Sequence, residues 1–81
     1  MDAESSRIAA LIVSGVVLAL SDKMTAEECL KTSKSLLDES RAISALSTEA
    51  ANAQEQLLTS AYILLAAIKF ADAAHAKLES R

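Results

Sequence analysis

Residues 25–46 read TAEECLKTSKSLLDESRAISAL, and this stretch decides the fold. Thr25 precedes Glu28 by three positions, the spacing of a capping box, in which each side chain bonds the backbone N–H of the other residue. Beyond the box, apolar or small residues recur three and four positions apart, while charged residues fall on the opposite face. The stretch therefore predicts an amphipathic helix over about 25–46, whose apolar face comprises Ala26, Cys29, Leu30, Ser33, Leu36, Leu37, Ser40, Ile43 and Leu46.

A second long helix is predicted over about 48–78. Its main stripe follows the helical period and consists of Ala50, Ala53, Leu57, Ala61, Leu64, Ile68, Ala71 and Leu78. Between Leu57 and Ala71 the segment is apolar on nearly every side, and a helix of that kind has to be covered on every side. The remaining helices of one short chain can cover only part of it, which indicates a further chain.

These two helices are predicted to form an antiparallel hairpin with a break around residues 44–48. Neither glycine nor proline marks the break. It rests instead on Ser47 or Thr48 as a helix cap, with Glu49 in the first turn that follows. Without a break, the chain beyond Thr25 would be one helix of about 85 Å, whose apolar face would lie in water.

The N-terminal segment contains the run IAALIVSGVVLAL over residues 8–20, which carries no charge. We predict a helix over about 5–20, capped by Ser5 or Ser6. The valines of the run and its glycine lower helix propensity. A strand over 11–20 is therefore the alternative, although no other part of the chain looks like a partner strand.

The same run is the candidate for a membrane or export segment. Its thirteen residues fall short of the ~20 that a helix needs to span a bilayer. The acidic residues before it, Asp2 and Glu4, outnumber Arg7, whereas a signal peptide begins with positive charge. A buried helix is therefore the favoured interpretation.

Composition also indicates packed helices. The 81 residues contain no proline, one glycine and two aromatic residues, yet 52% are hydrophobic. A chain of this length forms one domain, residues 1–81, and buries too little surface for high stability. Because the single cysteine excludes a disulfide within the chain, self-association is the remaining means of support. We expect an all-α small helical bundle, a short N-terminal helix plus a long antiparallel hairpin, assembled as an oligomer.

The charge balance bears on possible partners. The 8 basic and 11 acidic residues give a formal net charge of −3. A protein that binds nucleic acid without sequence preference needs a basic stripe, and here the basic residues are scattered. The expected partners are a second copy of the chain and another protein, rather than nucleic acid or a membrane. A free cysteine without a disulfide framework fits the reducing cytoplasm, where we expect the protein.

Reactive side chains are few. His75 lies one helical turn before Glu79, a pair able to orient an imidazole, but its place near a helix end favours interaction with the helix dipole. Cys29 lies on the apolar face, which favours a small core residue over a thiol nucleophile. A closed zinc site needs four ligands. We therefore expect no metal, no cofactor and no enzymatic activity.

Six large apolar residues form the candidate interface. Tyr62 and Phe70 are the two aromatic residues, and tyrosine is favoured at interfaces because one end is apolar and the other forms hydrogen bonds. The full set adds residues from the same helix and from the N-terminal run: Ile12, Val16, Leu58, Tyr62, Leu65 and Phe70.

Residues 25–78 resemble a family of short, uncharacterised pseudomonad-type proteins. The shared elements are the capped segment TAEECLKTSKSLL at 25–37, a polar bend, and the Ala/Leu-rich segment LLTSAYILLAAIK at 57–69. The resemblance covers about two thirds of the chain and implies a helical hairpin. Because the family has no established activity, the resemblance implies no site residue.

Three functions fit these features. The first is a non-enzymatic helical interaction module that self-associates and acts as a small regulator, inhibitor or chaperone-like binder, a format common among small bacterial and phage proteins. The second is a carrier of an apolar or anionic ligand between helices or subunits, with Arg7, Lys31, Lys34 or Arg41 holding the anionic group. The third is a small membrane-associated protein anchored by residues 8–20.

Overall fold

Three helices make up the fold. The computed structural model describes residues 3–47 and 53–80, which are helical apart from residues 22–25 and 80. Helix α1 spans Ala3–Ser21, α2 spans Ala26–Ser47 and α3 spans Ala53–Glu79. The predicted all-α architecture of an N-terminal helix and a long hairpin is confirmed. The strand considered for 11–20 is wrong, because these residues lie inside α1.

Two helix ends differ from the prediction. Because α1 begins at Ala3, Ser5 and Ser6 lie inside its first turns and neither of them caps it. The described part of α2 runs to Ser47, one residue beyond the predicted end, and the rest of the predicted break lies outside the described residues.

The start of the third helix cannot be compared with its prediction. The predicted start at Thr48, the cap at that residue and the stripe residue Ala50 fall within residues 48–52, outside the described residues. The side chain of Ser47, the alternative cap, is also outside them. From Ala53 onward α3 is continuous to Glu79, one residue beyond the predicted end.

The capping box forms as predicted. The Thr25 N–H donates to Glu28 Oε1 at 2.9 Å, and the Glu28 N–H donates to Thr25 Oγ1 at 3.1 Å. The bonds from Thr25, and to a lesser degree the charge of Lys31, hold the pKa of Glu28 below its ordinary value. One turn along the helix surface, Glu27 and Lys31 form an ion pair with 3.6 Å between Oε1 and Nζ. Both side chains are exposed, so this pair adds little stability.

Hydrogen bonds between serines and backbone carbonyls show that α2 and α3 are antiparallel. Ser33 Oγ donates to the Ala67 carbonyl at 2.7 Å, near the beginning of α2. Further along α2, Ser40 Oγ donates to the carbonyl of Ser60, which lies earlier in α3, at 3.0 Å. Residue numbers therefore rise along one helix as they fall along the other, as a hairpin requires.

Helix α1 packs mainly on α3. Its residues 12–13 line a groove with residues 62–63, and residues 17–21 line a hollow with residues 69–73, so the two helices run in the same direction. The molecule measures 47 × 27 × 16 Å. A single helix with its side chains is about 10–12 Å across, so in its shortest dimension the molecule is little more than one helix thick.

The core lies where the three helices meet. Its buried members are Val17, Ala26, Cys29, Phe70 and Ala74. Phe70 is the one aromatic ring among them, and the others are small. The predicted apolar face of α2 is correct for Ala26 and Cys29 but wrong for Leu30 and Leu46, which are exposed.

Candidate functional site

A groove of ≈ 340 Å³ lies between α1 and the hairpin. α1 forms one wall with Ile12, Val16 and Leu20, and α3 forms the other with Tyr62 and Ala66. The surface that these residues present to the groove is apolar throughout. Such a surface binds apolar side chains or apolar ligands and has no group that could act on them chemically.

The groove collects four of the six predicted interface residues. Ile12 and Val16 are exposed on the α1 wall, and Tyr62 is half-buried opposite them. Phe70 also lines the groove, but at 5% exposure it belongs first to the core of the single chain rather than to an interface. The interface role of these residues stays a prediction.

The other two predicted interface residues lie elsewhere. Leu58 and Leu65 are half-buried on α3, and neither belongs to the lining of the groove. They follow one another at a spacing of seven residues, so they share one face of the helix. That face borders the side of α3 that carries the exposed residues Leu57, Leu64 and Ile68.

A second hollow, of ≈ 330 Å³, lies on the other side of α1. Val17 lines both hollows, and here it is joined by Ser14, Ser21, Lys69 and Asp72. This hollow therefore has mixed polarity. The two hollows flank the line along which α1 rests on α3, so α1 is attached along a narrow contact.

The contact between α2 and α3 is polar at its centre. Ser40 Oγ donates to the Ser60 carbonyl at 3.0 Å, and Ser60 Oγ donates to the Ser40 carbonyl at 2.9 Å. Ser44 Oγ lies 2.6 Å from Ser60 Oγ, to which it can donate. Each hydroxyl then uses its one proton once. Bonds from a side chain as short as serine's to the facing carbonyl require the two backbones to lie close together.

Cys29 occupies the core position that its favoured interpretation predicts, and His75 forms the pair with Glu79 that its spacing allows. Cys29 is 0% exposed and lies in the core, out of reach of substrates and oxidants. His75 is exposed on α3 with its Nε2 3.0 Å from Glu79 Oε1. Within residues 3–47 and 53–80, no group of three or more His, Cys, Asp or Glu side chains converges on a position for a metal ion.

The proposed ligand-binding cations lie away from the groove. Arg7, Lys31, Lys34 and Arg41 are all exposed. None of them belongs to the lining of the apolar groove or of the second hollow. A ligand in the apolar groove would therefore have to be recognised by its apolar part.

Uncovered apolar surface was predicted for α3, but the buried helix favoured for residues 8–20 is wrong, because only 6% of the most apolar window of α1 is buried. Residues on α1 and along the predicted stripe of α3 face outward, including Ile8, Leu11, Leu18, Leu57, Leu64 and Ile68. The signal was present in the apolar character of α3 on all sides. The pattern does not show which side a neighbouring helix covers.

Within residues 3–47 and 53–80, two helices are long and apolar enough to cross a bilayer. α1 has a mean hydropathy of 1.6 and α3 of 1.5 in their most apolar windows. Only 6% of the α1 window is buried, against 22% for α3. Core helices of soluble proteins and signal sequences also meet this criterion of length and composition.

No known protein family, curated protein or solved structure matches the chain. The resemblance to short pseudomonad-type hairpin proteins therefore stays a prediction.

Proposed function

We propose that this protein is a non-enzymatic helical interaction module that self-associates and, once assembled, binds another macromolecule. Small regulators, inhibitors and chaperone-like binders work in this way. The observation that carries the proposal is the amount and the kind of surface that the single chain exposes. The fold itself adds a groove in which a partner segment can be held.

The surface of the chain is too large for a compact monomer. Its accessible area is 5738 Å², whereas a monomer of 8.5 kDa is expected to expose about 4,700 Å². The exposed part includes large aliphatic side chains on all three helices, for example Leu11, Leu46 and Ile68. Large apolar side chains that lie together on such a surface mark contact with another molecule.

The groove is the candidate site for the second partner. It is open, apolar and bordered by two parallel helices, which suits the apolar side of a partner helix. Tyr62 lines the groove, and its ring adds rigid apolar area to it. An assembled protein would present one such groove for each copy of the chain.

Self-association is tested by the absolute mass of the protein in solution. Light scattering after gel filtration, without detergent and over a hundredfold range of concentration, should give a stable mass of twice 8.5 kDa. The reason is that burying apolar area stabilises the assembly by roughly 25 cal/mol per Å². A monomer at every concentration would contradict the proposal.

A second candidate function, membrane association, is favoured by α1 alone. The 19 residues of the helix extend about 28 Å, close to the ~30 Å hydrocarbon thickness of a bilayer. The charge-free run lies between Arg7 and Lys23, and long basic side chains at helix ends reach the lipid headgroups. The low burial of α1 leaves it free for such contact.

This candidate predicts that the protein floats with lipid vesicles. Phosphatidylcholine vesicles, with and without phosphatidylglycerol, should carry the wild type to the top of a density gradient. Leu11→Glu should abolish flotation, because a carboxylate on the outward side of α1 cannot enter the bilayer. Leu46→Glu, an equally exposed site on α2 (72% against 67%), is the matched control. Wild type that stays at the bottom of the gradient would exclude this function.

A further inference from the structure

The outward side of α3 carries an unbroken heptad pattern. In a coiled coil, residues at the contact positions alternate in steps of three and four, and α3 keeps this alternation from Leu57 to Leu78. We call this set the α3 seam, and its members are Leu57, Ala61, Leu64, Ile68, Ala71, His75 and Leu78. All except His75 are apolar, and together they extend about 32 Å along the helix.

Apart from Ala71, which is half-buried, the members of the α3 seam are left exposed by the other two helices. α2 packs against the side of α3 that holds Ser60 and Ala67, and α1 lies against the side that holds Tyr62 and Ala73. The large aliphatic members of the seam, Leu57, Leu64, Ile68 and Leu78, are all exposed. A regular contact pattern that faces away from its own chain indicates a helix of another chain.

We infer that the α3 seam is the surface through which two copies of this chain associate, with the two α3 helices antiparallel and one α2 on each outer side. This rests on the proposed self-association and assigns it to one surface. The chain exposes about 1,000 Å² more than a compact monomer of its mass. A stable dimer of standard size buries about 800 Å² per partner, so one such contact accounts for most of the excess.

The flank of the seam supports a second copy. Leu58 and Leu65, the two predicted interface residues outside the groove, are half-buried and border the seam. They widen the apolar strip on the side that α2 does not cover. The members of this strip carry no formal charge, and the charged residues nearest to it, Lys69 and Asp72, line the second hollow on the α1 side.

The order of side-chain sizes favours the antiparallel register. With a two-fold axis at Ile68, Ala61 lies level with His75 of the second copy, and Leu64 lies level with residue 72, one position beyond Ala71 of the seam. Large residues then oppose small ones, which keeps the layers similar in volume. A parallel pair would instead place Ala61 against Ala61, so layers of two small residues would alternate with layers of two large ones. The antiparallel pair also aligns the helix dipoles favourably.

The first test compares a charge in the seam with a charge in the groove. Ile68→Glu places two carboxylates against each other at the two-fold axis, and should raise the dissociation constant of the dimer by roughly a hundredfold or more. Ile12→Glu in the groove, at a site somewhat more open to solvent (61% against 49%), should leave the dimer intact. Analytical ultracentrifugation measures both, and circular dichroism should show unchanged helicity because both sites are exposed.

Single cysteines provide a second measurement that does not depend on a disruptive variant. The native Cys29 is buried and will not react in the folded protein. Ile68→Cys should form a disulfide-linked dimer on mild oxidation, because the two copies of residue 68 meet at the axis. Ala61→Cys should not, since in the antiparallel pair its two copies lie about 21 Å apart, beyond the reach of a disulfide.

Each outcome of these tests supports or overturns the inference. Loss of the dimer in Ile68→Glu, together with cross-linking at residue 68 alone, supports the antiparallel seam. Efficient cross-linking at residue 61 overturns the register. A dimer that persists in Ile68→Glu and dissociates in Ile12→Glu overturns the seam, yet leaves the proposed self-association standing with the groove as its interface. If the wild-type protein is a monomer, both the seam interface and the proposed self-association are wrong.

Discussion

Replacing Phe70 with alanine should remove most of the stability of the protein. The expected loss in the free energy of unfolding is about 3–5 kcal/mol. A chain of 81 residues is expected to have about 4–12 kcal/mol in all. The variant should therefore unfold at a much lower temperature and urea concentration than the wild type.

The size of this loss follows from the position of Phe70 among the helices. Its ring, 5% exposed, contacts a cluster that draws Val17 from α1, Cys29 from α2 and Ala74 from α3 itself. These neighbours are small and cannot extend into the space that the ring would leave. A cavity that its surroundings cannot fill adds to the lost transfer free energy of the removed atoms.

Urea denaturation followed by circular dichroism at 222 nm would measure the change. Leu18→Ala is the matched control, since it also shortens a large apolar side chain but at an exposed site. It should change the free energy of unfolding by less than about 0.5 kcal/mol. A Phe70→Ala variant that loses under 1 kcal/mol would show that the three helices do not share one core around the ring.

The helices and their pairing could be predicted from local rules. The capping box at Thr25 places the start of α2 because its two hydrogen bonds involve residues only three positions apart. The hairpin followed from the cost of exposing one very long apolar helix. Where the prediction failed, at Ser5 and Ser6, α1 begins at Ala3, before either hydroxyl, and local propensity does not fix a helix end to within one or two residues.

The groove could be predicted only in part. Ile12, Val16 and Tyr62 were selected one by one for size and apolar character, and the structure places them around one groove. Their meeting depends on α1 lying alongside α3 in the same direction, and no sequence pattern specifies that contact. The exposure of the α3 seam could not be predicted for the same reason, because periodicity identifies apolar faces but not which neighbour covers each of them.

The serines between α2 and α3 were visible in the sequence, but their role was not. Ser33 and Ser40 were recognised as members of the apolar face, where they look like weak substitutes for leucine. In the structure, Ser40 and Ser60 bond each other's backbone carbonyls. Hydropathy scores a serine as polar wherever it lies, so it cannot reveal that two serines face each other across a helix pair.

A larger side chain at residue 60 distinguishes a hairpin that lacks apolar volume from one whose backbones are already in close contact. If the hairpin only lacked apolar volume at residue 60, Ser60→Leu would stabilise it, since leucine is more apolar and a better helix former. Because the backbones already approach within the reach of a serine side chain, leucine should instead force α2 and α3 apart. Overpacking and the lost hydrogen bonds together should cost about 3 kcal/mol.

Ser60→Ala separates the two contributions, since alanine fits the space and removes only the hydroxyl. It should cost about 1 kcal/mol, because Ser44 Oγ loses the neighbour that lies 2.6 Å away. Thr59→Leu tests the same enlargement at the adjacent, exposed position and should be nearly neutral.

Urea unfolding would rank the three variants by their free energy of unfolding. A Ser60→Leu protein more stable than Ser60→Ala would show that the helices are not in close contact. The expected order, with leucine the most harmful, would establish that small side chains rather than large ones hold this hairpin together, which leaves its large apolar residues free to face a partner.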